Sequence, residues 1–125
     1  MSDSKSILVI EDDAILREMV VNMLAGAGYR VIEAQDGEEG LEQVALEMPD
    51  LILLDMRMPR MSGWEFAFAF RKQYDHPCPI VVMSGDRDAG ERAGEISADD
   101  FLDKPFKLTS LLRLVTRHLP PDGAG

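Results

Sequence analysis

Apolar positions along this chain follow two patterns that take turns. Short runs end abruptly: "SILVI" (6–10), "DLILL" (50–54), "PIVVM" (79–83) and "DFLD" (100–103). Continuous Val/Ile/Leu runs of this length predict strands covered on both faces, as in a parallel sheet packed between helices. "YRVIEA" (29–34) alternates more, which predicts a strand nearer the sheet edge. Between the runs the period becomes helical. Leu16, Met19, Val20, Met23 and Leu24 form one stripe, with Asp13 placed to cap the helix and Gly26 and Gly28 to stop it. Asp36-Gly37 opens a second helix through Leu41, Val44, Ala45 and Met48, ended by Pro49. Ser62 and Glu65 make a capping box for a helix over 63–74. "RDAGERAGEI" (87–96) predicts a weak helix, since Gly90 and Gly94 each cost roughly 1 kcal/mol relative to Ala. A last helix begins near Leu108 and turns Leu111, Leu112 and Val115 inward. Strand and helix thus alternate five times, the pattern of an α/β fold with a parallel sheet.

Four of the five strands stop at residues with chemistry. Glu11-Asp12-Asp13 follow the first run, Asp55 the run at 50–54, Ser84 the run at 79–83, and Lys104-Pro105 the last. In a parallel sheet all strand C-termini share one edge, where ligands bind. With Asp13 set aside, three carboxylates, a hydroxyl and an ammonium are therefore gathered from distant parts of the chain, a set suited to metal-assisted phosphoryl chemistry. Taken singly, each has a plainer reading: strand-end acids cap helices, Ser84 fits a turn, Lys104 a solvated charge. Asp13 is assigned to such a cap. The plain readings together would require four strand ends to match by accident.

The 125 residues suffice for one sizeable core. A formal net charge of −10 argues against direct nucleic-acid binding, which needs a basic footprint. The single cysteine, Cys78, lies between prolines and is read as a small apolar residue at a strand start. No apolar run approaches the ~18 residues needed to span a membrane, and "MSDSK" carries no signal core, so a cytoplasmic setting is expected. His76 and His118 are assigned no catalytic role, His118 being placed to favour the C-terminal dipole of its helix.

The set "ILVIEDD", "LILLDMRMPRMSGWE", "VVMSGD" and "DDFLDKPF", in this order and spacing, resembles the receiver domain of two-component response regulators, from about Lys5 to His118. The resemblance implies a doubly wound five-stranded parallel sheet of order 2-1-3-4-5 with five helices, two on one face and three on the other. It implies a receiver domain over residues 1–119, with 120–125 as a tail or the start of a linker. It matches Asp55 to the phosphoacceptor, taking a phosphoryl group from a phosphohistidine. Glu11 and Asp12, with Asp55 and the backbone carbonyl of Arg57, match the Mg²⁺ site, which would also take Mn²⁺; oxygen-only donors suit such hard ions. Lys104 and Ser84 match the residues that contact phosphoryl oxygens, and Ser84 with Phe101 the switching pair. Phe101 lacks the hydroxyl of the commoner tyrosine, so an ordinary sheet residue competes with that role. Met56, Arg57, Gly85, Asp86 and Pro105 flank the site, and an Arg57/Asp86 pair could bridge it and lengthen the life of the phosphorylated state.

By the same resemblance the partners are a histidine kinase or histidine phosphotransfer domain, docking at Ala14, Ile15 and Pro105-Phe106, then a downstream protein target or an output domain outside this chain, with a phosphorylation-dependent homodimer as an option. Such a receiver catalyses only its own phosphorylation and dephosphorylation. Two rivals stand beside it. A Mg²⁺-dependent phosphatase would use Asp55 as a turnover nucleophile, but Arg57 occupies the place of the second acid of its Asp-x-Asp motif. A degenerate receiver binding partners without phosphorylation would commonly lack an acid, the acceptor or the lysine. Three local departures stand out. Arg57 and Asp86 flank the site, and Ser97-Ala98 replaces the frequent Gly-Ala, leaving the start of the last strand open. In "WEFAFAF", Phe66 and Phe70 share a core face with Ala67, whereas Phe68, about 200° round from Phe66, points outward. It serves there either as an interface or under the stems of Arg71 or Lys72.

Overall fold

A computed structural model describes residues 4–85 and 88–120. Strands β1 (Ser6–Ile10), β2 (Arg30–Ala34), β3 (Leu51–Asp55), β4 (Ile80–Ser84) and β5 (Asp100–Asp103) alternate with helices α1 (Ala14–Gly26), α2 (Gly37–Leu46), α3 (Gly63–Tyr74), α4 (Ala89–Glu95) and α5 (Leu108–His118). All pairings are parallel and the order is β2-β1-β3-β4-β5, with Leu54 level with Ile10 on one side and Val82 on the other. The order reverses between β1 and β3, and the crevice beyond their C-termini is where such sheets take ligands.

Strand periodicity divides the core in two. Leu8, Ile10, Ile52, Leu54, Ile80 and Val82 face α2, α3 and α4, meeting Val44, Phe66, Phe70 and Ala93. Ile7, Val9, Leu51, Leu53, Val81 and Met83 face α1 and α5, meeting Val20, Leu24, Leu111 and Val115. With both faces covered, β1, β3 and β4 are buried throughout, which is why their sequences are unbroken apolar runs. The edge strand β2 exposes Arg30 and Glu33 and alternates accordingly.

Helix boundaries follow local chemistry. Asp13 accepts from the N–H groups of Ile15 and Leu16, and Ser62 and Glu65 form the reciprocal capping box of α3. Phe66 and Phe70 stack with ring centroids 5.5 Å apart in the core, while Phe68 is 71% exposed with the Lys72 ammonium 5.9 Å from its ring centre. Three expectations are corrected, and two others gain detail. Met19 is exposed rather than on the buried stripe of α1. Helix α2 ends at Leu46 with Glu47 extended, leaving Met48 outside it and Ala45 exposed; a residue preceding proline is pushed out of the helical region, so the break comes before Pro49 itself. In α5, Leu114 is buried and Leu112 only partly so. His118 does more than meet a helix dipole: its Nε2 lies 3.1 Å from Asp100 Oδ2, tying α5 to β5. Ser97, in place of the frequent glycine, adopts a left-handed φ of 53°, and β5 starts at Asp100. The tail expected over 120–125 falls, beyond Pro120, outside the described residues. Cys78 is half-buried and unpaired by any disulfide, and burial, with Asp50 and Asp99, pushes its thiol up to about 12.

Candidate functional site

The ends of β1 and β3, adjacent in the sheet, place Glu11, Asp12 and Asp55 together. Carboxylate oxygens of the three lie within 4.8 Å of one another. Glu11 and Asp55 are buried, whereas Asp12 is exposed. Glu11 is fixed from several sides: its N–H donates to Ala34 O, Oε2 accepts from the Asp13 N–H at 3.0 Å, and its carbonyl accepts from Arg17 at 2.7 Å. Lys104, from the end of β5, brings its ammonium 2.6 Å from Glu11 Oε1 and 3.3 Å from Asp55 Oδ1. Its own N–H donates to Ser84 O at 2.7 Å, which fixes the strand end beside the site, and the Lys104–Pro105 peptide is cis.

One ammonium does not balance three carboxylates. Burial first, and then the Glu11 carboxylate, push the Asp55 carboxyl up to about 7 against the pull of Lys104. Burial draws the Lys104 ammonium downward, but Glu11 and Asp55 outweigh it and hold the group above its ordinary range. Glu11 Oε1 is buried without a well-aligned hydrogen bond, its approach to Lys104 being a charge contact. Three clustered carboxylates sharing a single ammonium are a set of hard oxygen donors that fits a divalent cation such as Mg²⁺.

The loop after Asp55 is pinned closely. The Gly63 N–H donates to Met56 O at 2.9 Å, and a Cβ on Gly63 would stand 2.5 Å from Met56 Sδ and 2.8 Å from Asp55 O. Met56 is buried, so this flanking residue faces the core rather than the crevice. Arg57 is exposed; its guanidinium lies over the Trp64 ring, 5.7 Å from the centroid, and 3.7 Å from Asp88 Oδ2. The expected Arg57/Asp86 bridge cannot be placed, since Asp86 lies outside the described residues, and Asp88 is the partner of Arg57 among the described ones.

Ser84 is buried at the end of β4 and donates its hydroxyl to Asp88 Oδ1 at 2.8 Å. A Cβ on Gly85 would meet nothing within 4 Å, so the crevice is open there. Phe101 is 46% exposed, its ring packed over Gly90, where a Cβ would approach it to 3.3 Å. Ala14, Ile15 and Pro105 rim the edge in exposed positions, whereas Phe106 is partly buried against the α1/α5 core. Two residues that neither periodicity nor motif singles out, Asp88 and Asp103, also stand at this edge. Asp103 Oδ1 accepts the Ala89 N–H at 3.0 Å, capping α4 from the neighbouring strand. An aspartate just before a helical segment was a visible signal at position 88, but it would have read as a cap, which Asp88 is not.

A family model described as "Response regulator receiver domain" matches residues 7–116. The chain belongs to the response regulator receiver family. This receiver is 41% identical over 125 residues to the response regulator MprA of Mycolicibacterium vanbaalenii, covering 95% of this chain and 54% of that protein. It spans about half the length of the curated relatives it matches. Among solved structures it is similar to the chemotaxis protein CheY4 of Vibrio cholerae, with a TM-score of 0.83, 32% identity, and coverage of 93% of this chain and 99% of that one. The receiver domain of NtrX from Brucella abortus is also similar, with a TM-score of 0.82, 30% identity, and coverage of 90% and 97% respectively. Family membership places the receiver in two-component phosphorylation signalling. Among the described residues, no helix is long and apolar enough to cross a membrane.

Proposed function

We propose that this receiver is a phosphorylation-dependent switch whose acceptor is Asp55. The observation that carries the reading is the convergence of Glu11, Asp12, Asp55 and Lys104 at the β1/β3 edge. An Asp55 oxygen attacks the phosphorus of a phosphohistidine on a histidine kinase or phosphotransfer domain. The P–O bond forms as the P–N bond breaks, and the imidazole leaves with the N–P electron pair and a proton. A carboxylate needs no general base for this step, only relief of repulsion from phosphoryl oxygens. Lys104, 3.3 Å from Asp55 Oδ1, offers a positive charge to those oxygens, and the Ser84 hydroxyl offers a hydrogen bond once the group is in place. Glu11, Asp12, Asp55 and the Arg57 carbonyl are the ligands proposed for Mg²⁺ or Mn²⁺. The bound cation would supply charge that returns Asp55 to its ionised form and screens the incoming group.

Ser84 and Phe101 are the proposed switching pair, with α4, β5 and α5 as the responsive face. Ala14, Ile15 and Pro105 offer the kinase a small apolar rim. The domain assignment of residues 1–119, a cytoplasmic setting and a downstream protein or output domain belong to the same reading. It is tested by intact mass after incubation with acetyl phosphate, with Mg²⁺ or EDTA, for wild type and Asp55→Asn. One added phosphoryl group requiring both Asp55 and Mg²⁺ is expected. No adduct with donor untouched would favour a binding module, and donor consumption without an adduct would favour a phosphatase.

A further inference from the structure

Asp88 stands at the N-cap position of α4, yet its side chain caps nothing. A carboxylate there ordinarily accepts an N–H from its own first turn. Here that duty falls to Asp103, and Asp88 divides its two oxygens between other partners. Oδ1 accepts the Ser84 hydroxyl at 2.8 Å and Oδ2 lies 3.7 Å from the Arg57 guanidinium. Arg57 is steadied in turn over Trp64, whose indole N–H donates to Glu95 at 2.7 Å. A line of contacts therefore runs from the end of β4 across the mouth of the crevice to the end of α4.

A serine hydroxyl has a single proton to donate. Phosphoryl oxygens on Asp55 accept only, so any bond from Ser84 to them must use the proton that Asp88 now holds. Resting on the reading of Asp55 as acceptor and Ser84 as its hydrogen-bond donor, we infer that Asp88 is a positioning residue that competes with the phosphoryl group for Ser84. Phosphorylation must take the hydroxyl from a carboxylate, a strong acceptor, so Asp88 sets how readily the switch is thrown. Arg57 supports the competition by holding the other Asp88 oxygen, 3.7 Å from its guanidinium. Removing Asp88 leaves the hydroxyl free to meet the transferring group.

The test is the rate of Asp55 phosphorylation by acetyl phosphate with Mg²⁺, followed by intact mass, for wild type, Asp88→Ala, Asp88→Asn, Ser84→Ala and the Ser84→Ala/Asp88→Ala double variant. Asp88→Ala is expected to be faster by about fivefold, a charge-assisted bond discounted for the water that replaces it. Asp88→Asn keeps an acceptor for Ser84 while losing the charge, and should stay within about twofold of wild type. In the Ser84→Ala background the Asp88 change should have no effect, since no hydroxyl remains to compete for. Equal or slower phosphorylation of Asp88→Ala would overturn the competition. So would equal acceleration in Asp88→Asn or in the Ser84→Ala background, either of which would mean that Asp88 acts only by its charge. Wild type that takes no phosphoryl group would remove the proposed function itself, a result distinct from phosphorylated variants with equal rates.

Discussion

Replacing Asp55 by Asn should make the metal-free protein more stable at pH 8, although it removes a contact to Lys104. The reason lies in the crowding of Glu11, Asp12 and Asp55 around one ammonium. In the folded chain Asp55 keeps its proton up to about pH 7, against 3.8 for an ordinary aspartate. The folded state thus binds more protons than the unfolded one between these values. The stability owed to this is complete below pH 3.8 and lost as pH rises through about 7. The full climb corresponds to roughly 4 kcal/mol. Asparagine recovers only part of it, because its amide is still buried and the Lys104 attraction is gone, so a gain of about 1–3 kcal/mol is expected. For a domain of this size that is a rise of about 4–12 °C in Tm. Thermal melts by circular dichroism in EDTA, at pH 5 and pH 8, give the comparison. The gap between variant and wild type should be larger at pH 8, and Mg²⁺ should narrow it by stabilising wild type more. An Asn variant that melts lower at pH 8, or a gap equal at both pH values, would refute the electrostatic account.

Three further outcomes are expected. Lys104→Met leaves buried Glu11 and Asp55 without a counter-charge and should cost about 2–4 kcal/mol in urea unfolding at pH 8, less at pH 4; an unchanged midpoint would contradict the ion pairing. Gly63→Ala drives a methyl against Met56 and the Asp55 carbonyl, so a loss of about 1–3 kcal/mol and slower phosphorylation should appear together in melts and mass kinetics. Phe66→Ala should cost about 3–5 kcal/mol and Phe68→Ala no more than about 0.5 kcal/mol, and similar losses in chemical unfolding would show the α3 face assigned wrongly.

What the sequence disclosed depended on how local the physics was. The strand ends carrying Glu11, Asp55, Ser84 and Lys104 were legible because buried parallel strands are uninterrupted apolar runs and their C-termini must share an edge. The α3 boundaries were legible because Ser62 and Glu65 bond within one turn. Met19 lies on the flank of the α1 stripe, whose buried centre is Val20 and Leu24, and periodicity does not fix how far round the helix the cover reaches. The end of α2 was overrun because Pro49 acts on the residue before it. Asp88 was missed for a different reason: its partners, Ser84 and Arg57, lie on other segments. Nothing in the local spelling "RDAG" separates a cap from a side chain committed elsewhere.

Helix α4 donates its opening N–H, that of Ala89, to Asp103 of β5 rather than to a residue of its own. The point from which the helix departs is therefore dictated by the strand that ends beside Lys104. Its own sequence, with glycines at 90 and 94, is excused from defining that origin. The outward residues of α4 could then be exchanged for others without displacing its first turn. Variants of this segment would present different faces to different listeners from an unchanged mounting.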